Sequence, residues 1–441
     1  MRFSDLDGAT IGVWGVGRET RSFAAQLARR LPSARIAAIV QDTEPAADPR
    51  AALAAPKAHV AIGGDIAAAL AGCDIVVRSP GVSVYRPELR AFQGRVVTPT
   101  GLWLAEREGR RVIGITGTKG KSTTVALAFH LAAATGVPVH LAGNIGEPAL
   151  DLLDAPADDL AIVELSSYQI ADLETGPEVA VVTNLFPEHR DWHGSEARYR
   201  EDKLRVLGLP GVRATVVNGR DEGLVDAAPG AVRYGVPYGW DVVEDGVVAR
   251  GEVVVPRAEL PLLGTHNALN LCAALAALET FGAALPPLPE ALRSFRGLRH
   301  RLEVVSEEDG VVWVDDSIST TPESAIAAVE SFPDREIVLL GGGHDRGQDY
   351  TELAQVLAQR GAIVIGLPTT GGRLVEAARE AGVAPEQAFE AADLPTAVER
   401  ARALSHPGSA VLLSPAAPSY DAYRDFEERG DHFRSLVTRS R

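Results

Sequence analysis

The chain has 441 residues, more than one hydrophobic core usually serves, so two or three domains are expected. Hydrophobic residues make up 46% and charged residues 23%, a profile typical of a globular rather than a disordered protein. The formal net charge of −16, from 43 basic and 59 acidic residues, argues against a nucleic-acid-binding surface, because phosphate neutralisation needs clustered Lys and Arg. Any anionic ligand must therefore be bound by hydrogen-bond donors or positive charges placed locally at its site.

Two features predict the cellular compartment. Cys73 and Cys272 lie far apart in Ala- and Leu-rich segments, which favours free thiols in a reducing cytosol over a disulfide. Residues 1–5 lead into a polar stretch without the apolar run of a signal peptide or a membrane span. We therefore predict a cytoplasmic protein that binds neither nucleic acid nor a membrane.

Short β-rich runs alternate with Ala-rich helical runs over the first hundred residues. Strands are predicted at 11–14, 35–40 and 75–77, and a helix at 19–30. This βαβ pattern predicts a parallel sheet. We place this first domain, a Rossmann-like α/β unit, at residues 1–104.

The same alternation continues in two further predicted domains, at residues 105–296 and 297–441. The predicted strands are 111–115, 160–164, 179–183, 311–314, 336–340, 362–365 and 410–413. The predicted helices are 121–134, 322–331 and 374–381. The sequence therefore predicts an α/β protein of three domains, in which a central P-loop ATPase-like domain with a parallel sheet lies between two Rossmann-like domains.

A Gly-rich turn at residues 114–124, GITGTKGKSTT, joins a predicted strand to a predicted helix. In such a turn, glycines let backbone N–H groups converge on phosphate oxygens, and the helix N-terminus adds its positive dipole. Lys121 is expected to reach the terminal phosphates and Ser122 to bind Mg²⁺. The residues predicted to bind ATP in this turn are Gly117, Thr118, Lys119, Gly120, Lys121, Ser122 and Thr123.

The turn departs from the strict Walker pattern, which would place a glycine at Ile115, whereas this chain has Gly114 and Gly117. The competing interpretation is a strand-to-helix connection that binds no ligand. The Gly-Lys-Ser-Thr run at the start of a helix favours nucleotide binding.

In the form Gly-Thr-Lys-Gly-Lys-Ser-Thr, the turn resembles that of the Mur ligases, a family of ATP-dependent amide-bond-forming enzymes that includes folylpolyglutamate synthetase. Further motifs match in order between about residues 10 and 436, among them GNIG at 143–146, ELSSYQ at 164–169 and TNLFPEHRDWH at 183–193. The resemblance implies that Glu164 and His189 help to bind Mg²⁺ and that Asn144 lies beside the reacting groups. Carboxylate and imidazole groups are compatible with Mg²⁺ beside phosphate oxygens, although Mg²⁺ prefers oxygen.

Lys203, in the stretch YREDKL, matches the family lysine that becomes carbamylated and bridges to a metal ion. Read alone, it is a solvated lysine on a helix face. Carbamylation would turn the cation into a carboxylate-like ligand. The resemblance thus implies the catalytic residues Lys121, Asn144, Glu164, His189 and Lys203, and the metal ligands Ser122, Glu164, His189 and carbamylated Lys203.

Two later segments are similar to the nucleotide-binding segments of the family. The stretch GTHNALNLCAA at 264–274 resembles the adenine segment, with Asn267 and Asn270 one helical turn apart, and an amide both donates and accepts as an adenine edge requires. A capped amphipathic helix is the competing interpretation. The stretch GLRHRLE resembles the entry to the third domain, which implies that Arg301 lies near the ATP phosphates and that Asp316 faces the ribose.

The turn GVWGVGRET at 12–20 is only a weak dinucleotide-like signal, and alone it would suggest an NAD enzyme. Here it resembles the UDP-binding domain of the glutamate-adding branch of the family. That likeness places the pyrophosphate over the first loop and the uracil near the second strand. The residues implied are Val16, Gly17, Arg18, Asp42, Thr43, Ser79, Pro80 and Gly81.

The third domain resembles the same branch in two stretches, GGGHDRG at 341–347 and LSPAAPSYDAYRDF at 413–426. The likeness implies that Thr320 and Arg346 bind one carboxylate of the incoming glutamate, and Ser419 with the Phe426 region the other. An arginine offers paired donors suited to a carboxylate.

Two departures bear on which glutamate is used. D-glutamate-adding enzymes usually read DSKATN where this chain has DSISTT at 316–321, and usually have Asn at the position of Lys119. Both departures resemble the rarer branch that adds L-glutamate. We therefore favour a monomeric ligase that uses ATP and Mg²⁺ to join L-glutamate to UDP-N-acetylmuramoyl-L-alanine through an acyl phosphate.

Three alternatives remain open at this point. The first is the same reaction with D-glutamate, and the second is folylpolyglutamate synthesis, which the UDP-like first domain disfavours. The third comes from a different class, a P-loop protein that binds nucleotide without ligation.

Overall fold

The computed structural model describes residues 1–45, 48–64, 66–186, 188, 190–262, 264–295, 297–420 and 422–438. The chain divides into two compact units, Met1–Phe295 and Arg296–Arg441. Among the described residues, no helix has the length and apolar character needed to cross a membrane.

The first sheet of the first unit has five parallel strands in the order β3-β2-β1-β4-β5. The strands are β1 (Thr10–Trp14), β2 (Arg35–Gln41), β3 (His59–Ile62), β4 (Ile75–Arg78) and β5 (Arg95–Val97). The helices are α1 (Arg18–Arg30), α2 (Pro49–Ala52), α3 (Ile66–Leu70), α4 (Pro87–Ala91) and α5 (Pro99–Glu106). The strand order reverses between β1 and β4, which is where open α/β sheets bind ligands.

The second sheet of this unit has six parallel strands in the order β11-β10-β9-β6-β8-β7. Its strands are β6 (Val112–Thr116), β7 (Val139–Gly143), β8 (Leu160–Glu164), β9 (Val179–Val182), β10 (Ala214–Asn218) and β11 (Val232–Tyr234). A smaller antiparallel sheet follows, with β12 (Trp240–Val243), β13 (Gly246–Ala249) and β14 (Glu252–Pro256). The helices are α6 (Lys121–Ala133), α7 (Ser167–Ile170), α8 (Arg190–His193), α9 (Glu196–Leu204), α10 (Glu222–Ala227), α11 (Thr265–Phe281) and α12 (Leu288–Arg293).

Continuous apolar runs explain why the central strands are buried. Every residue of β6 and of β8 is buried, as expected for parallel strands covered on both faces. Val13 of the first sheet, Trp103 of α5 and Val163 of β8 belong to one hydrophobic cluster. The first two sheets therefore share a core, which positions their loops relative to each other.

The second unit contains a mixed six-stranded sheet in the order β15-β16-β20-β17-β18-β19, in which only the β15–β16 pair is antiparallel. Its strands are β15 (Glu303–Glu308), β16 (Val311–Asp315), β17 (Glu336–Gly341), β18 (Ile363–Gly366), β19 (Ala388–Glu390) and β20 (Ser409–Leu413). Its helices are α13 (Pro322–Glu330), α14 (Thr351–Gln359), α15 (Gly371–Glu380), α16 (Leu394–Leu404) and α17 (Phe426–Thr438).

The predicted α/β class is confirmed, and each predicted strand and helix overlaps an observed one. The largest displacement is at the helix predicted from residue 374, which begins at Gly371. Strands towards the sheet edges were not predicted from the sequence, namely β3, β5, β7, β10, β11, β15 and β19, and neither was the three-stranded sheet β12–β14. The domain boundaries after residues 104 and 296 stay predictions.

A buried polar network connects the first sheet to the central one. Glu19 on α1 accepts hydrogen bonds from Thr100 Oγ1 at 3.0 Å and from Gln169 Nε2 at 2.7 Å. Burial raises the pKa of Glu19, and these two bonds partly oppose that shift. The folded state therefore binds the Glu19 proton more tightly than the unfolded chain does, and this group opposes folding more strongly as pH rises.

Replacing Gln169 by Leu is expected to lower the free energy of unfolding by about 1–3 kcal/mol, because a buried carboxylate loses a donor. The loss should shrink between about pH 7.5 and about pH 5, since protonated Glu19 is less costly to bury. Urea unfolding at both pH values measures this loss in the free energy of unfolding. Gln93→Leu is the control, because Gln93 is exposed, and equal stability of the two variants would contradict the prediction.

Candidate active site

The phosphate turn connects β6 to α6 and packs against the segment after β9 and against α11. Gly117 has a φ of +150° and Gly120 a φ of +80°, backbone conformations that favour glycine. A Cβ added at Gly117 would overlap Thr183 Oγ1, and one added at Gly120 would overlap Asn270 Oδ1. Both glycines are therefore required by conformation and by space.

Asn184, two residues after the end of β9, fixes the first half of the turn. Its Oδ1 accepts from Lys119 N at 2.7 Å, its Nδ2 donates to Lys119 O at 2.9 Å, and its own carbonyl accepts from Thr118 N at 3.0 Å. The N–H groups of Thr118 and Lys119 thus bind protein oxygens. The amides suited to the predicted phosphate are therefore those at the start of α6, because the first turn of a helix leaves its N–H groups without intrahelical acceptors.

Two lysine ammonium groups converge on this turn. Lys121 Nζ donates to the carbonyls of Gly117 and Thr118 at 2.9 Å each, and Lys203 Nζ donates to Gly117 O at 2.7 Å. Lys203 is 1% exposed. Its pKa lies well below the usual lysine value, first because of burial and then because of the positive charge of Lys121. Lys119 instead forms an exposed ion pair with Glu188.

Glu164 lies at the end of β8, beside β6, and is 1% exposed. Its Oε1 accepts from Asn144 Nδ2 at 2.7 Å, and Asn144 N donates to the Glu164 carbonyl at 3.0 Å. Among the described residues, Glu164 Oε2 and Thr116 Oγ1 are buried atoms without a hydrogen-bond partner. Buried polar oxygens of this kind need a partner, and Mg²⁺ prefers oxygen ligands, so this set fits a divalent cation. Another of the four predicted ligands, His189, lies outside the described residues.

The helix that carries Lys203 is fixed by contacts that the sequence did not reveal. Asp202 accepts from His193 Nδ1 at 2.6 Å and from Tyr85 OH at 2.6 and 2.8 Å. Tyr199 OH lies 2.7 Å from Thr118 Oγ1 in the phosphate turn. Burial and the bond to Asp202 raise the pKa of Tyr85. The only available signal was sequence proximity, since Asp202 adjoins Lys203 and His193 ends the TNLFPEHRDWH motif.

The predicted adenine segment lies against the phosphate turn. Asn270, on α11, is 7% exposed, and its Nδ2 donates to Asn267 Oδ1 at 3.3 Å. The overlap that a Gly120 side chain would have with Asn270 shows that the two segments touch. The structure therefore brings together the two predicted parts of the nucleotide site that lie in this unit.

The predicted UDP-binding loops meet at the edge of the first sheet. A Cβ at Gly17 would lie 3.3 Å from Ser79 Oγ, so the loop after β1 contacts the loop after β4. The guanidinium of Arg18 donates to the carbonyls of the 143–146 loop at 2.6, 2.8 and 2.9 Å. Asp42 Oδ1 accepts from Trp14 Nε1 at 3.3 Å. Arg18 therefore also connects this edge to the loop that contains Asn144.

In the second unit, the predicted ligand residues follow the adjacent strands β16, β20 and β17, whose carboxyl ends share one edge. Asp316 is 2% exposed, and its oxygens accept from Leu302 N at 3.1 Å and Ser414 Oγ at 2.7 Å. Burial raises the pKa of Asp316 to about 6. Both oxygens are thus bonded within the unit, and the ribose contact stays a prediction. Arg301 Nε is a buried donor without a partner among the described residues.

Thr320 and Phe426 are partly buried, Ser419 is 5% exposed, and Arg346 is exposed. The Arg346 guanidinium lies 5.5 Å from the centroid of the Tyr420 ring, next to Ser419 in sequence. The four predicted glutamate ligands therefore lie in loops at one edge of this sheet or, for Phe426, at the start of α17.

These features define a nucleotide-binding α/β protein whose phosphate turn lies beside a buried carboxylate and a buried lysine. The sequence matches the Mur ligase middle domain over residues 115–278 and the Mur ligase glutamate ligase domain over residues 300–417. It is 43% identical to the UDP-N-acetylmuramoyl-L-alanine–L-glutamate ligase of a Micromonospora species, over 99% of this chain and 98% of that protein. It is 41% identical to the enzyme of the same name from Xanthomonas euvesicatoria, over 99% of this chain and 97% of that protein.

Solved structures agree on the fold. The UDP-N-acetylmuramate–alanine ligase MurC of Thermotoga maritima has a TM-score of 0.62 at 19% identity, covering 98% of this chain and 100% of that one. MurF of the same organism, in complex with ADP, has a TM-score of 0.57 at 18% identity, covering 100% and 97%. The chain therefore belongs to the Mur ligase family, as its motifs predicted.

Replacing Gly120 by Ala is expected to weaken ATP binding at least about tenfold, because the new Cβ overlaps Asn270 where the turn meets α11. Titration with a fluorescent ATP analogue measures the affinity. Gly282→Ala is the matched control: Gly282 ends α11 with a φ of +85°, and nothing lies within 4 Å of its added Cβ. Equal affinity in the two variants would argue against a nucleotide site at this turn.

Proposed function

We propose that this chain is an ATP-dependent ligase that joins L-glutamate to the alanyl carboxylate of UDP-N-acetylmuramoyl-L-alanine, in peptidoglycan precursor synthesis in the cytoplasm. The observation that carries the proposal is the convergence of Lys121, Lys203 and Glu164 beside the phosphate turn. Relatives that are 43% and 41% identical over nearly the whole chain carry this activity in their names.

The reaction is a phosphoryl transfer followed by acyl transfer. The terminal phosphoryl group of ATP passes to the alanyl carboxylate, which gives ADP and an acyl phosphate. The glutamate amine then attacks the acyl carbon, phosphate leaves with its electron pair, and the amine loses a proton as the amide forms. Phosphoryl transfer asks a protein mainly to position groups and to neutralise charge.

The residues of the phosphate turn match that requirement. Lys121 supplies a positive charge at the turn. The first N–H groups of α6 point towards the position where a phosphate would bind, in front of the helix N-terminus. Asn144 orients the Glu164 carboxylate through the 2.7 Å bond to Oε1. A bound Mg²⁺ would neutralise charge on phosphate oxygens, and Ser122, Glu164, carbamylated Lys203 and His189 are its proposed ligands.

The environment of Lys203 favours carbamylation. Its lowered pKa leaves more of the amine unprotonated near neutral pH, and the unprotonated nitrogen is the form that attacks CO₂. Loss of a proton then gives a carbamate anion, so the charge at this position changes from positive to negative. The repulsion between Lys203 and Lys121 becomes an attraction, which stabilises the modified form.

Protein equilibrated with ¹³C-labelled bicarbonate is expected to show a carbamate carbon signal by NMR that is absent in Lys203→Met. Turnover of that variant should fall at least about a hundredfold, the order expected for losing one electrostatic group of the site. Lys57→Met is the control, because Lys57 is an exposed lysine outside the phosphate turn. A carbamate signal that persists in Lys203→Met would rule out this position.

The choice of L-glutamate has a physical basis in the second unit. Ile318 stands where D-glutamate-adding enzymes usually have a lysine, so the loop after β16 offers an apolar side chain in place of a cation. Binding of the two glutamate carboxylates then falls to Arg346, Thr320, Ser419 and the start of α17.

The decisive experiment supplies L- and D-glutamate separately to the purified enzyme with ATP, Mg²⁺ and UDP-N-acetylmuramoyl-L-alanine. Phosphate release and the product mass are measured. Release should require both the UDP substrate and L-glutamate, with a product heavier by one glutamyl residue. Turnover with D-glutamate alone would overturn the stereochemical assignment, and release that needs neither substrate would indicate a nucleotide-hydrolysing protein that ligates nothing.

A further inference from the structure

Arg429 on α17 is a buried cation in the second unit, with 2% of its surface exposed. Its Nε donates to Ser317 Oγ at 2.9 Å and its Nη2 to Ser317 O at 2.8 Å. Both terminal nitrogens donate to Ala417 O at 3.2 Å. These acceptors carry no charge. Burial lowers the pKa of Arg429 to about 10, so the guanidinium stays protonated at neutral pH.

The groups bound by Arg429 belong to the segments that carry the predicted glutamate ligands. Ser317 lies in the loop after β16, three residues before Thr320, and Ala417 lies in the loop after β20, two residues before Ser419. Ser317 Oγ also donates to Phe426 O at 2.8 Å, at the start of α17.

The third loop of this edge packs on the same guanidinium. A Cβ added at Gly343, after β17, would lie 3.1 Å from Arg429 Nη1. Gly343 begins the short stretch that leads to Arg346. One side chain therefore contacts all three loops that follow β16, β20 and β17.

We propose that Arg429 is a positioning residue of the amino-acid site, which determines the affinity for the incoming glutamate without touching it. The planar guanidinium, with its paired N–H donors forming a fork, sets the spacing of the Ser317 and Ala417 loops. That spacing in turn sets the positions of Thr320 and Ser419. The charge is bonded to neutral acceptors, and although the buried carboxylate of Asp315 acts on it, the guanidinium adds positive potential at an edge that has to bind a dicarboxylate. This inference rests on the proposed ligase function.

The role predicts a selective kinetic effect. Arg429→Met, which removes both fork and charge, should raise the KM for glutamate at least about tenfold, while the KM values for ATP and the UDP substrate change by less than about twofold. Arg429→Lys keeps the charge and loses the fork, so its KM for glutamate should lie between those of the wild type and Arg429→Met.

Arg360→Met is the matched control. Arg360, in the same unit, also donates only to carbonyls in the structure described, those of Phe332 at 2.7 Å, Arg335 at 3.0 Å and Pro333 at 3.3 Å, but away from the three loops. It should lower the melting temperature without changing any KM. If Arg429→Met behaves in the same way, with all three KM values unchanged, Arg429 is merely structural and the inference is wrong.

Ser317→Ala decides the matter if Arg429→Met does not fold. It removes the bonds to Arg429 Nε and to Phe426 O but keeps the buried charge. A selective rise of about threefold in the KM for glutamate supports the inference, and an unchanged value overturns it. Failure of the ligase proposal itself is distinguishable, because the wild-type enzyme would then release no glutamate-dependent phosphate.

Discussion

The site depends on two ammonium groups that donate to the same carbonyl, that of Gly117. Like charges in a buried environment repel strongly unless one loses its proton or a negative group lies between them. Burial lowers the pKa of Lys203, and the positive charge of Lys121 lowers it further. In the proposed function, a bound phosphate and a carbamate on Lys203 would each supply negative charge beside these ammonium groups.

The surrounding fold keeps this arrangement in place. Gly117 and Gly120 bring the turn against β9 and α11, and Asn184 binds the backbone of its first half. On the other side, Asp202 fixes α9 through His193 and Tyr85. The lysines therefore cannot separate to relieve their repulsion without breaking buried hydrogen bonds.

Local signals in the sequence predicted the central strands of the three larger sheets, the phosphate turn and the order of the motifs, because apolar runs and Gly-Lys-Ser-Thr act within a few residues. Contacts between segments that are far apart in sequence could not be predicted from local patterns. Tyr85 and Asp202 are 117 residues apart, and Arg429 and Ser317 are 112 apart. The β15 edge strand was missed for a related reason, since Glu303–Glu308 is polar and only partly buried, without the apolar run that marks the inner strands.

Cations in this acidic protein differ in the partners they bind. Lys119 pairs with Glu188 and Arg78 with Asp172, so a carboxylate cancels each charge. Arg18 and Arg429 instead donate to main-chain carbonyls at the predicted substrate loops. A carbonyl dipole fixes a cation in place without cancelling its charge. Despite the net charge of −16, guanidinium groups therefore lie at loops where phosphates and carboxylates are expected to bind.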